Sequence, residues 1–228
     1  MTELCQPDKR NLDSGVSLEN LVKALSQVPI SEKVPNKIRE MLEFAKKIWL
    51  YGYYEYDFYT LCSIYLFLLV ETAIKERFLD ELPKQCQLVK NGKSEIVNKN
   101  YEIIYQRLWQ GWTITGFEKV GRSLKSIPNW FKEHQVLPAR IGEKEVDLLR
   151  KLRNEAAHLT GKDVYTPAMA IQMIFKITDL INCLFDPQFY NKEPAALKNG
   201  REYHEKISQE FEKTIKIHQE EHRKSKKD

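Results

Sequence analysis

A chain of 228 residues, 42% apolar and 30% charged, is long enough to enclose one substantial core, and its apolar residues fall in periodic blocks that a disordered chain lacks. A formal net charge of +4 is too small to mark a nucleic-acid binder on charge alone. Four scattered cysteines (Cys5, Cys62, Cys86, Cys183) make neither a disulfide framework nor a zinc ligand set, and MTELCQPDKR lacks the apolar stretch of a signal peptide. A reducing, cytoplasmic setting is expected.

In chain order, residues 1–35 read as an N-terminal extension with a short helix. Asn36–Leu50 follows Pro35 and places Ile38, Leu42, Ala45 and Trp49 at helical spacing. Glu55–Leu82 is the longest predicted helix. Its run Phe58–Val70 is free of charge, but thirteen residues are too few to span a bilayer, so a central core helix is expected and no membrane partner. Pro83 ends it. Lys84–Asn100 is polar, contains Asn91-Gly92, and reads as a loop or a weak β-hairpin.

Tyr101–Trp112 resumes helical spacing through Ile104 and Leu108, and Thr115–Gln135 suggests one or two short helices around Pro128. Glu143–Thr160 is predicted as a helix with a core stripe of Val146, Leu149 and Leu152, stopping at Gly161. Thr166 caps a further helix that begins at Pro167 and runs through Phe185. Residues 195–228 are highly charged with a thin stripe of Tyr203, Ile207, Phe211 and Ile215, a terminal helix or tail. These elements predict an all-α fold, an antiparallel bundle of four to six helices over residues 36–194.

The chemistry concentrates in Arg153-Asn154-Glu155-Ala156-Ala157-His158. Basic residues gather there: residues 1–80 hold 10 basic and 12 acidic side chains, residues 119–153 hold 9 and 4. On a straight helix Arg150, Asn154 and His158 share one face, whereas Arg153 lies about 140° around from His158. With ten arginines and five histidines in the chain, Arg-x4-His arises about 0.2 times by chance; requiring Asn after the Arg lowers this to about 0.01.

Leu152-Arg153-Asn154-x3-His158 resembles the signature of the HEPN superfamily, and the long central helix carrying Glu71-Thr-Ala-Ile-Lys-Glu-Arg77, followed by a motif helix and one more, is similar to that family's layout. The resemblance covers about residues 36–185. It implies a metal-independent, cofactor-free endoribonuclease, often a toxin or antiphage defence component, whose cleft forms between two copies. In that reading the RNA 2′-hydroxyl is the nucleophile and His158 moves protons near neutrality. Arg153 holds the non-bridging oxygens as charge grows on them, and Asn154 orients imidazole or phosphate. Ala156 and Ala157 let two motif helices approach, and Arg150 and Lys151 add substrate contacts. An antitoxin or regulatory protein is a further expected partner.

Plainer readings stand beside these. His158 in a last helical turn complements the helix dipole, and Glu71 makes either an orienting contact to Arg153 or His158 or a simple i,i+4 pair with Lys75. Trp109, Trp112, Trp130 and Phe131 are expected in the core rather than stacked on bases. Lys119, Arg122, Lys125 and Lys132 either track RNA or form a solvated face. His218-Gln-Glu-Glu-His222 matches a zinc pattern but lies in a charged tail without an apolar shell, so no metal is expected. The alternative function is a non-catalytic HEPN-like module that binds RNA, a nucleotide or a protein; a helical scaffold with an accidental motif is the third.

Overall fold

The computed structural model describes residues 6–117, Phe131 and residues 165–189. Among them are six helices: α1 (Lys9–Asp13), α2 (Leu18–Ser26), α3 (Asn36–Tyr51), α4 (Phe58–Glu81), α5 (Tyr101–Trp109) and α6 (Pro167–Phe185). Three strands, β1 (Gln85–Lys90), β2 (Lys93–Asn98) and β3 (Thr113–Ile114), form an antiparallel sheet in the order β2-β1-β3.

The sheet corrects the all-α expectation. Its physical origin is period-two burial: Cys86 and Leu88 of β1 and Val97 of β2 point inward, and Cys86 sits directly opposite Val97. Asn91 and Gly92 join the strands with φ of 49° and 76°, the left-handed pair that a two-residue hairpin turn requires. The helix expected to reach Trp112 stops at Trp109 for an equally local reason. Gly111 takes φ 87°, its N–H bonds to the Leu108 carbonyl, and the Trp112 N–H bonds to the Arg107 carbonyl. That paired closure ends α5 and turns the chain into β3.

Short-range chemistry sets the helix starts. Asp8, Ser17, Asn100 and Thr166 each accept a backbone N–H in the first turn of the following helix. Pro167 occupies the first turn of α6, where a missing N–H is harmless. Leu82, ahead of Pro83, is extended and closes α4.

The core is built from Ile38, Leu42, Ala45 and Trp49 of α3, Cys62, Leu66, Leu69 and Ala73 of α4, and Ala170, Ile174, Ile177 and Ile181 of α6. Leu21 and Leu25 of α2 and the fully buried Phe131 belong to the same cluster. Helix α3 runs antiparallel to α4: the Cys62 thiol donates to the Ala45 carbonyl, and Lys37 pairs with Glu76. Helix α6 runs parallel to α4. Its start is tied to Thr60 through the Tyr165 N–H (3.0 Å), and its end receives the Arg77 guanidinium at the Leu184 carbonyl (2.8 Å).

Two buried polar clusters pin the ends of the chain's first 35 residues. Asn11, fully enclosed, donates to the Gly52 and Tyr53 carbonyls at 2.7 and 3.0 Å. Asn182 of α6 accepts the Ser31 N–H and donates to the Pro29 carbonyl, while Asp186 takes the Ser31 hydroxyl and the Lys33 ammonium. Buried polar groups satisfied in this way fix position where apolar contacts alone would allow sliding.

Candidate functional site

Of the residues that the sequence singles out for chemistry, Arg150, Lys151, Arg153, Asn154 and His158 lie outside the described residues, as do Lys119, Arg122, Lys125, Trp130 and Lys132. So do all five histidines of the chain and the charged stretch from residue 195. The structure describes the segments that precede and follow them in the sequence. Tyr165, seven positions after His158, is anchored to the N-terminal part of α4 by its bond to Thr60 Oγ1.

Glu71 is half-buried on α4, eleven residues beyond Thr60 and so roughly 16 Å further along the helix axis. Its carboxylate lies 3.4 Å from Lys75 Nζ, the i,i+4 pair that is one of its two readings. Lys75 in turn sits 5.2 Å from the centre of the Tyr101 ring, which stacks on Tyr105 with centroids 5.7 Å apart. Burial raises the Tyr101 phenol above its ordinary range, and neighbouring Tyr105 and Glu71 push in the same direction. Its hydroxyl is enclosed without a hydrogen-bond partner among the described residues. Such an arrangement keeps Tyr101 neutral at physiological pH, a donor rather than a base.

Cys62, Cys86 and Cys183 are all buried and none is in a disulfide; burial pushes Cys62 up to about 12, so it carries no thiolate near neutrality. No group of three or more His, Cys, Asp or Glu side chains is placed to hold a metal ion among the described residues.

The aromatic residues divide. Phe131 is in the core as expected, but Trp109 at the end of α5 is 66% exposed, against the expectation of burial. One position past Leu108, it lies about 100° or more around the helix from the buried Ile104 and Leu108, so helical spacing itself turns it outward. Sequence reasoning also passed over Lys90, whose ammonium donates to the carbonyl of Gln110, next to Trp109. The contact follows from the pairing of β1 with β3, Val89 opposite Thr113, which no local pattern reveals.

An apolar face remains open across α3 and α4. Phe44, Leu61 and Leu68 are about half exposed, Tyr51 more so, and Tyr65 meets Phe44 edge-on at 5.1 Å. Helices α4 and α6 are each long and apolar enough to cross a membrane by length and composition, and both contribute to the core.

Comparison with protein-family models, with curated proteins and with solved structures finds no match to this chain.

Proposed function

We propose that this chain is a metal-independent endoribonuclease of the HEPN type, acting as a homodimer in the cytoplasm as a toxin or antiphage defence component. The observation that carries the reading is the sequence Arg153-Asn154-x3-His158, its histidine seven residues ahead of the Tyr165 anchor on α4.

RNA brings its own nucleophile, so the protein's task is limited. An imidazole at residue 158 removes the proton of the 2′-hydroxyl, or protonates the departing 5′-oxygen. The Arg153 guanidinium binds two non-bridging oxygens and stabilises the charge that develops on the phosphorane. One imidazole cannot give and take a proton in the same step, which a second copy of the chain resolves. The exposed Phe44, Leu61 and Leu68 offer that copy an apolar surface. The products are a 2′,3′-cyclic phosphate and a 5′-hydroxyl.

The test is RNA cleavage by the wild type and by His158→Ala, each checked for helicity and mass in solution. Cleavage in EDTA that ends in a cyclic phosphate, lost in His158→Ala with fold and dimer intact, supports the proposal. Cleavage that needs a divalent metal, or survives in His158→Ala, refutes it. Wild-type protein that binds RNA and leaves it whole favours the non-catalytic module.

A further inference from the structure

The segment between α4 and residue 118 is charged differently from what precedes it. Residues 83–117 carry five basic side chains (Lys84, Lys90, Lys93, Lys99, Arg107) against two acidic ones (Glu95, Glu102), net +3, whereas residues 1–80 have two more acidic than basic. Arg107 is neutralised by Glu95 at 2.9 Å. The four lysines have no carboxylate partner among the described residues.

Two of these lysines are held beside an exposed indole. Lys90 and Lys93 face each other across the last rung of the hairpin, flanking the Asn91-Gly92 turn. Lys90 Nζ donates to the Gln110 carbonyl at 2.5 Å, which places its ammonium one residue from Trp109. Trp109 presents its ring to solvent with two-thirds of its surface uncovered. The backbone on both sides is fixed, by the left-handed turn at residues 91–92 and by the closure of α5 at Gly111. Lys93, exposed and free of ion pairs among the described residues, is the second cation at the same corner.

We propose that Trp109, Lys90 and Lys93 form a binding site for single-stranded RNA, one base stacking on the indole and the flanking phosphates lying against the two ammonium groups. The proposal rests on RNA being the substrate of this protein, but not on its cleavage. A base offers a flat π-face of the right kind for an exposed indole, and only an unpaired strand can present it. A protein partner would answer the indole equally well but has no general reason to place negative charge on both sides of it; a phosphodiester strand always does. The site therefore grips the substrate at the corner of the sheet beside the end of α5.

The experiment measures binding of a fluorescent oligouridine, and of a duplex RNA of equal length, to full-length His158→Ala protein, so that cleavage plays no part. In that background Trp109→Ala is expected to weaken oligouridine binding about tenfold while Trp109→Phe largely restores it, and the duplex is expected to be indifferent to both. Lys93→Ser is expected to lower the slope of log affinity against log salt by about 0.7, the loss of one phosphate contact to a single strand. Equal oligouridine affinity in Trp109→Ala and Trp109, with both folded by circular dichroism, overturns the site. So does a loss of self-association in Trp109→Ala without a change in RNA affinity, which would make this corner a protein interface. If oligouridine binds as expected while wild-type protein never cleaves it, this site stands and the ribonuclease proposal falls.

Discussion

Replacing Gly52 with Ala tests the packing at the α3–α4 corner directly. A methyl group built on Gly52 would lie 2.4 to 2.6 Å from ring atoms of Tyr59, more than 1 Å inside ordinary carbon contact. The Tyr59 ring has little room to retreat. It is fully buried, meets Trp49 and Tyr56 edge-on at 6.0 and 5.2 Å, and its hydroxyl donates to Asn11 Oδ1. Gly52 itself has φ −56° and ψ −19°, an ordinary right-handed conformation, so alanine meets no backbone strain and gains up to about 1 kcal/mol of helix preference. Overpacking of this kind costs about 1–3 kcal/mol, leaving a net destabilisation of about 1–2 kcal/mol. That corresponds to a fall of roughly 2–8 °C in Tm for a chain of this size. Urea denaturation followed by circular dichroism measures it. In a Tyr59→Ala background the clashing ring atoms are gone, and the same Gly52→Ala change should be neutral or mildly stabilising. Wild-type stability for the single variant, or the same penalty in both backgrounds, would refute the steric reasoning.

Asn182→Ala strips the Ser31 N–H and the Pro29 carbonyl of their buried partner and should destabilise by about 2–4 kcal/mol, with the loss visible in urea unfolding and in faster amide exchange at Ser31; a change below about 0.5 kcal/mol would show that the cluster is not enclosed. The Asp8 carboxyl is held down to about 2 from its ordinary 3.8, chiefly by the Arg10 guanidinium and further by the Arg10 and Tyr56 N–H groups, against an opposing push from burial. A depressed carboxyl contributes stability in full above about pH 4 and loses it as pH falls through about 2. Arg10 is half exposed, so solvent screening limits the contribution to about 1 kcal/mol. Asp8→Asn should therefore be less stable than wild type at pH 7 by about that amount, and the gap should close between pH 4 and pH 2; a gap constant with pH would contradict this origin.

Helices whose start or stop is written in one or two residues were legible in the sequence. Pro35 marks α3 and Thr166-Pro167 marks α6, and the apolar period of Ile38, Leu42, Ala45 and Trp49 names one face of the core. The sheet was only half legible. Asn91-Gly92 signalled a hairpin, but just three inward apolar residues on the two strands, interrupted by Lys90, Lys93 and Glu95, gave too weak an alternation to outweigh the surrounding helices. The end of α5 was misplaced because Ile104, Leu108 and Trp112 keep helical spacing past Gly111, and only the left-handed backbone there ends the helix. Asn11 looked like one polar residue among many; its burial comes from carbonyls at residues 52 and 53, a pairing no local pattern reveals. For the candidate site the situation is reversed. The motif at residues 153–158 is plain as a string of residue types, while the exposed Trp109 beside Lys90 emerges only in three dimensions.

The parallel course of α4 and α6 has a bearing on how the chain is made. Residues 82–166 separate the two helices, and α6 cannot cover its side of α4 until they have been synthesised. At the pace of a ribosome, about 5–20 residues per second, α4 waits several seconds or longer with Val70 and neighbouring apolar groups uncovered. A slow-codon variant within residues 82–166 would lengthen that exposure, and with it the opportunity for aggregation, without altering a single atom of the finished protein.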